Sequence, residues 1–200
     1  MSLDKTKREL VKIVKKLGKN NLLPGTSGNV SVRINDDLIL ITASGSSSAF
    51  ISIDDIILTD LNGNVCEKTE KCPSSEIGIH TLIYKKRNDI NAIIHSHASA
   101  LCAFAVAGRP LSNILAENLY YFNEVPIVPY FKPGSSELAI NTSLCFEDKK
   151  VNACFLSNHG FVLGAKSLKD AYNLTLMAEN NARIEINANI LGSLKTIDVI

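Results

Sequence analysis

The amino-acid sequence predicts one compact α/β domain over residues 1–200. Segments with helical periodicity alternate with short apolar, β-branched segments typical of strands, which is the pattern of a sheet covered by helices. Of the 200 residues, 46% are apolar and 20% are charged, so the chain lies in the globular range and can bury a sizeable core. No internal repeat, low-complexity tract or linker divides it, and we therefore expect a single domain.

The first half of the chain is predicted to open with an amphipathic helix, because apolar residues at 10, 11, 13, 14 and 17 stand between charged ones. Asn35 and Asp36 mark the turn of a hairpin. The last helix of this half follows Pro73 and ends in basic residues, which suit the negative end of its dipole. In chain order, the predicted elements are a helix over 3–17, strands at 29–33, 37–42, 56–60 and Val65, and a helix over 74–87.

The second half is predicted to alternate strands with helices. The break Gly108-Arg109-Pro110 ends a helix of small residues, and Ser167 with Asp170 forms the capping pattern that begins the final helix. In chain order, the predicted elements are a strand at 90–95, a helix at 99–107, a strand at 124–130, a helix at 135–146, a strand at 151–156 and a helix at 167–191.

Composition excludes several classes of protein. The formal net charge is +1 and no basic stripe is interleaved with aromatic residues, which argues against nucleic acid as a partner. No apolar stretch approaches the roughly 20 residues of a membrane span, and the N-terminus lacks an apolar signal core. The five cysteines are an odd number without tight metal-type spacing, which argues against a disulfide scaffold. We therefore expect a cytoplasmic protein.

Three histidines predict a metal site. His95 and His97 are two residues apart at the end of a predicted strand, where residues i and i+2 share a face, and His159 follows a second strand-like run. Three imidazoles with an open fourth position are the ligand set of a catalytic zinc site. A lone histidine is often only hydrogen-bonded or solvated, which is what we expect of His80, and the His-x-His pair alone leaves both interpretations open.

Two small-residue loops could bind a phosphate. Residues 25–31 and 42–48 would expose backbone N–H groups and hydroxyls without bulky side chains. Each loop taken alone is equally consistent with an ordinary turn. Neither fits the phosphate-loop pattern ending in Gly-Lys-Ser/Thr or the dinucleotide fingerprint, so nucleotide chemistry lacks support.

The segment Pro73-Ser74-Ser75-Glu76 precedes a predicted helix and has two interpretations. In the first, Ser74 or Ser75 caps the helix and Glu76 favours its positive end. In the second, the free N–H groups and two hydroxyls bind an anion, and Glu76 faces that anion as an acid/base. Local sequence favours the plain cap.

The order of these motifs resembles the class II aldolase/adducin family from about residue 5 to residue 190. The resemblance implies a three-layer αβα fold around a central mixed, largely antiparallel sheet, and a homotetramer with active sites between subunits. It implies one divalent metal per subunit, usually zinc with other divalent ions left open, held by His95, His97 and His159. It also implies Glu76 as catalytic acid/base, and phosphate binding by Thr26, Ser27, Asn29, Ser44, Gly45, Ser74 and Ser75.

The same resemblance implies a zinc-dependent aldolase that cleaves a ketose 1-phosphate to dihydroxyacetone phosphate and an aldehyde. The substrate would be L-fuculose 1-phosphate or a related 5-deoxy- or methylthio-pentulose phosphate. Methylthioribulose-1-phosphate dehydratase and pentulose-phosphate 4-epimerase remain alternatives, although the epimerases typically carry aspartate at the position of Glu76. The three histidines with Glu76 argue against a non-catalytic adducin-like module.

The region after residue 110 departs from some family members. Glu117 falls close to an acidic residue of other branches and is a candidate second acid/base, with a solvated loop carboxylate as the equal alternative. Some members have a tyrosine that reaches a neighbouring subunit's site, and Tyr120 or Tyr121 would fill that role only with a shift in register.

Overall fold

A computed structural model describes residues 2–122 and 124–197 of the chain. The strands are β1 (Asn29–Arg33), β2 (Leu38–Thr42), β3 (Ile56–Asp60), β4 (Ala92–Ser96), β5 (Ile127–Val128), β6 (Ala153–Leu156) and β7 (Gly160–Ala165). The helices are α1 (Leu3–Lys19), α2 (Ile77–Lys86), α3 (Ser99–Ala107), α4 (Ala116–Tyr121), α5 (Ser136–Cys145) and α6 (Leu168–Ile190), with a 3₁₀ turn at Ile53–Asp55. Within the described ranges, no helix is both long and apolar enough to cross a membrane.

The seven strands form one mixed sheet in the order β3-β2-β1-β4-β7-β6-β5. Every neighbouring pair is antiparallel except β5 and β6, which are parallel. Helices α1, α3 and α6 contribute to the core on one face of the sheet, and α2 and α5 contribute to the core on the other. The predicted three-layer αβα fold with a largely antiparallel sheet is therefore confirmed.

Strand alternation decides which side chains reach the site. In β1, Val30 and Val32 belong to the core beneath α1 and α6, so Asn29 and Ser31 project towards α2. Strand β4 alternates in the same way and directs His95 towards the α2 face. Asn29 and His95 are opposite one another in the β1–β4 pairing, which brings both side chains to one end of the sheet.

Two elements of the structure were missed by the sequence prediction. Strand β7 follows His159 and carries Gly160 and Gly164, residues that disfavour strands in general. Helix α4 begins after Leu115, which makes no side-chain cap hydrogen bond and so gives no start signal.

Three other predicted elements differ most from the structure. The strand predicted at 124–130 is reduced to Ile127–Val128, because Pro126 and Pro129 lack the N–H that a ladder requires. Val65 forms only an isolated bridge with Thr59. Helix α2 begins at Ile77 rather than at residue 74, which leaves the segment from Ser74 to Glu76 outside the helix.

Candidate metal and phosphate site

Four side chains from three parts of the chain converge at one end of the sheet. His95 lies in β4, His97 directly follows that strand, His159 lies in the turn between β6 and β7, and Glu76 immediately precedes α2. One potential ligand atom from each of these residues lies within 4.8 Å of all the others. The three histidines that the sequence singled out therefore come together, and Glu76 joins them.

The spacing of the imidazole nitrogens fits a tetrahedral metal ion. His95 Nε2 lies 2.9 Å from His97 Nε2 and 3.3 Å from His159 Nε2. Zinc bonds imidazole nitrogen at about 2.0–2.1 Å, so neighbouring corners of its tetrahedron lie about 3.3–3.4 Å apart. The three nitrogens can therefore occupy three corners after a small adjustment and leave the fourth open.

The protonation of the imidazoles suits the same role. His95 Nδ1 lies 3.2 Å from the carbonyl oxygen of Phe161. A carbonyl only accepts, so Nδ1 donates and the lone pair of Nε2 is free. Burial, followed by repulsion from His95, lowers the pKa of His97 to about 3 and also lowers the pKa of His159. Neutral imidazoles are the form that binds a metal.

Glu76 is a buried carboxylate at the edge of this cluster. Its Oε2 atom lies 3.1 Å from His95 Nε2 and accepts a hydrogen bond from Asn29 Nδ2 at 3.1 Å. Its Oε1 atom lies 3.4 Å from His159 Nε2 and has no hydrogen-bond donor among the described residues. Burial raises the pKa of Glu76, but His95, His159 and the Asn29 hydrogen bond together outweigh it and lower the pKa to about 2. The side chain is therefore ionised at neutral pH and can accept a proton through Oε1.

A cavity of about 180 Å³ opens beside these groups. Most of its wall comes from small residues of three loops, with Glu76, His97 and His159 also lining it. All seven residues predicted to bind phosphate line it: Thr26, Ser27, Asn29, Ser44, Gly45, Ser74 and Ser75. Larger grooves of about 610 and 590 Å³ lie elsewhere on the surface and are lined by none of the predicted metal, phosphate or acid/base residues.

Three residues of the cavity wall were absent from the predicted set: Gly28, Ala43 and Pro133. Pro133 lines the cavity from the loop before α5, and its only sequence signal was the Pro-Gly pair at a helix start. Gly28 has a φ of 79°, and a Cβ there would lie 2.5 Å from the carbonyl oxygen of His95. A glycine is therefore required for this loop to approach the histidine strand.

The serines before α2 do not act as a plain helix cap. The residue at the N-cap position is Glu76, and it makes no side-chain cap hydrogen bond. Ser74 Oγ accepts from the Glu76 N–H at 3.3 Å, and Ser75 lines the cavity. This arrangement favours the anion-binding interpretation of the segment over the capping one.

Four residues considered in the sequence, Glu117, Tyr120, Tyr121 and His80, lie outside the cavity. Glu117 is half-buried in the first turn of α4, does not line the cavity, and remains only a candidate acid/base. Tyr120 and Tyr121 on the same helix are exposed. His80 is outside the ligand cluster and is hydrogen-bonded, as expected of a lone histidine.

The chain is similar to known proteins over most of its length. A sequence model described as the class II aldolase and adducin N-terminal domain matches residues 8–186. An L-fuculose phosphate aldolase of Methanococcus maripaludis is 36% identical, with 92% of this chain and 97% of the relative covered. A 5-deoxy-D-ribulose 1-phosphate aldolase of Bacillus thuringiensis serovar kurstaki is 31% identical, with coverages of 98% and 92%. A solved structure of an L-fuculose 1-phosphate aldolase is 34% identical and superimposes with a TM-score of 0.89 over 99% of this chain and 92% of the other.

Proposed function

The chain belongs to the class II aldolase and adducin family, and from that premise we propose that it is an aldolase that cleaves a ketose 1-phosphate. The products are dihydroxyacetone phosphate and an aldehyde. The observation that carries the proposal is the position of the ionised Glu76 beside three convergent imidazoles and at the wall of a cavity rich in hydroxyls and N–H groups. A metal site next to an anion site and a base is what cleavage beside a phosphorylated ketone requires.

We propose zinc, one ion per subunit, as the metal held by His95, His97 and His159, since neutral imidazoles in this spacing suit it. When bound, such an ion supplies Lewis-acid stabilisation of the negative charge that develops on the ketose oxygens. The sequence-matched relatives support metal dependence through the family, and the donor set of the site supports it independently.

The protein's own residues perform the remaining steps. The two small-residue loops and the Ser74-Ser75 pair hold the phosphate, which positions the sugar carbons beside Glu76. Cleavage breaks the bond between carbons 3 and 4 as the carbon 4 hydroxyl passes its proton to the ionised Glu76 and carbon 4 becomes the aldehyde carbon. The bond electrons form an enediolate, and Glu76 delivers a proton to carbon 3 to complete dihydroxyacetone phosphate. In the condensation direction, the same carboxylate removes that proton.

The names of the similar proteins suggest substrates to test, and the exposed surface of the chain supports a proposal for its oligomeric state. The names of the two similar aldolases make L-fuculose 1-phosphate and 5-deoxy-D-ribulose 1-phosphate the first compounds to test. We propose a homotetramer, supported by the exposed aromatic side chains of Tyr120 and Tyr121 on α4, which a neighbouring subunit would cover. The five cysteines, all of them described and unpaired, support a reducing compartment such as the cytoplasm.

The test is incubation of zinc-loaded protein with both ketose 1-phosphates, followed by detection of dihydroxyacetone phosphate and identification of all products by mass. Release of that triose phosphate from either compound supports the aldolase. A product that has lost water, or one with inverted carbon 4, would identify a dehydratase or an epimerase instead.

The Glu76→Gln variant tests the role of the carboxylate. Glutamine keeps the size and the hydrogen bond from Asn29 but cannot carry the proton, so we expect turnover to fall by about 10²–10⁴-fold. Zinc content, measured on the same preparation, should be unchanged. Full activity in this variant would refute the role assigned to Glu76.

A further inference from the structure

We propose that His80 is a positioning residue for the Glu76 carboxylate and acts on it through the side-chain amide of Asn29. The inference rests on the acid/base role proposed above for Glu76. His80 is completely buried in α2, is not a member of the imidazole cluster, and takes no part in the proposed reaction.

A zipper of side chains connects α2 to β1. Residues at four-residue intervals of the helix segment, Glu76, His80 and Tyr84, interleave with Asn29 and Ser31 of the strand. Asn29 lies between Glu76 and His80, and Ser31 lies between His80 and Tyr84. The zipper is therefore continuous from the edge of the cavity into the core.

The chemistry of each group fixes the direction of the hydrogen bonds. The Glu76 carboxylate only accepts, so Asn29 presents its Nδ2 to Oε2 at 3.1 Å, and this leaves the Asn29 Oδ1 facing His80 Nε2 at 2.5 Å. An amide oxygen also only accepts, so His80 Nε2 must carry a proton and donate. Burial lowers the pKa of His80 to about 3, so the ring is neutral and its Nδ1 accepts from the Ser31 hydroxyl at 2.6 Å.

The far end of the zipper completes the same direction. Ser31 Oγ donates to His80 and therefore accepts from the Tyr84 hydroxyl, 2.9 Å away. Burial raises the pKa of Tyr84 above its usual range, which keeps that hydroxyl protonated as the donor. Each hydrogen bond in the series therefore has a fixed donor and a fixed acceptor, and every donor lies on the side away from Glu76.

Asn29 matters because of what else contacts Glu76. The other described side-chain groups near the carboxylate are imidazole nitrogens of His95 and His159, which are needed for the metal. The Asn29 Nδ2–H is then the protein donor left to orient the carboxylate, and His80 holds that amide in the required orientation. A purely structural His80 would satisfy its own hydrogen bonds without affecting the reaction.

Two substitutions separate these roles. In a histidine-like rotamer, glutamine places an amide N–H near Nε2 and keeps the donor to Asn29, whereas asparagine places its amide near Nδ1 and keeps only the contact with Ser31. We expect His80→Asn to lower kcat about 10–100-fold, with KM and zinc content unchanged, and His80→Gln to stay within about threefold of wild type. Ile83→Val, which removes a buried methyl group from the same helix, is the control for lost stability and should leave kcat unchanged.

The result that would overturn the proposal is an equal kcat per folded molecule in the Asn and Gln variants. A second measurement covers the case in which His80→Asn does not fold. Nitrogen–proton correlation spectra of wild-type protein containing isotope-labelled histidine report the tautomer of each of the four imidazoles. We expect the Nε2–H tautomer for His80 at neutral pH, and the Nδ1–H tautomer would refute the direction of the series.

The same spectra separate this proposal from the proposed function. If the wild-type protein cleaves no ketose phosphate, the aldolase assignment fails. The tautomer of His80 would still show whether the hydrogen bonds run towards Glu76.

Discussion

We expect the Gly160→Ala substitution to weaken metal binding, although Gly160 itself is not a proposed metal ligand. Gly160 begins β7 directly after His159 and opposes β4 near its histidine end. A Cβ at this position would lie 2.6 Å from the carbonyl oxygen of Ser96, 3.0 Å from His95 Cε1 and 3.4 Å from His97 Cδ2. The added methyl group would therefore meet the backbone between two ligands and the ring of each.

The size of the effect follows from these distances. Ordinary van der Waals contact begins at 3.4 Å, so the Ser96 carbonyl must move by about 0.8 Å. Overpacking of this kind costs about 1–3 kcal/mol of unfolding free energy. Backbone cannot yield as a side-chain end can, so the shift is transmitted to His95 and His97. Displaced ligands should reduce metal affinity about 10–100-fold, which corresponds to about 1.4–2.8 kcal/mol.

Gly164→Ala is the matched control, because it makes the same chemical change in the same strand. Its Cβ would lie 2.7 Å from Ile90 Cδ1, and its other near neighbours are also atoms of the Ile90 side chain, which can rotate away. The assays are urea unfolding of the metal-free proteins and zinc competition with a chromophoric chelator. We expect both variants to lose stability but only Gly160→Ala to lose affinity. If the two variants bind zinc equally tightly, the idea that β7 sets the ligand positions is wrong.

Three further predictions concern stability. Asp89 accepts two hydrogen bonds from Arg87, and these bonds together with the Arg87 charge lower the pKa of Asp89 to about 2. The ionised carboxylate therefore stabilises the fold above about pH 4, and this stabilisation is lost as the pH falls towards 2. Solvent screening of this half-exposed carboxylate limits the stabilisation to below about 1 kcal/mol. In urea unfolding, Asp89→Asn should lose unfolding free energy relative to wild type, and this loss should shrink on acidification. A loss that does not change with pH would contradict the prediction. Glu179 accepts from the first N–H groups of α3, so Glu179→Gln should lower the unfolding free energy by about 1–2 kcal/mol, and an unchanged urea midpoint would count against it. Removal of zinc by a chelator should lower Tm, since a ligand at 100 times its Kd stabilises by about 2.7 kcal/mol, and an identical melting curve with and without zinc would argue against a bound metal.

The proposed metal ligands could be singled out from sequence because each lies at or just beyond the end of a recognisable strand. Alternation within β4 directs His95 to one face, and His97 lies one residue beyond the end of the strand. The loops proposed to hold phosphate also stand out in the sequence, since small residues cluster in them, and their seven predicted positions share one cavity. These are local patterns, and local patterns are what a single sequence displays most clearly.

Strand β7 could not be found in the same way. Gly160 and Gly164 weaken its intrinsic preference for a strand, yet each is needed where the sheet brings a neighbour close: β4 backbone at Gly160 and the Ile90 side chain at Gly164. The requirement comes from packing across the sheet, which depends on partners about 65–75 residues earlier in the chain. Glycine therefore weakens the intrinsic strand preference of this segment, yet only glycine leaves room for the neighbours that β7 packs against in the folded sheet.

The α2–β1 zipper shows the same limit for the site. The four-residue spacing of Glu76, His80 and Tyr84 and the two-residue spacing of Asn29 and Ser31 are both visible in the sequence, but neither has meaning until the helix lies along the strand. Four residues of helix advance about 6.0 Å and two residues of strand advance about 6.6 Å, so the two sets of side chains can interleave over several steps.

The interleaving continues beyond the buried series. The next residue on that face of β1, Arg33, donates to the carbonyl oxygens of Tyr84 and Arg87 at 2.6 and 3.2 Å, and its guanidinium stacks 4.7 Å from the Tyr84 ring centroid. Arg33 therefore fixes the end of α2 that lies farthest from the cavity. Because a helix is stiff, anchoring that end also sets the depth at which the other end presents Glu76 to the metal ligands.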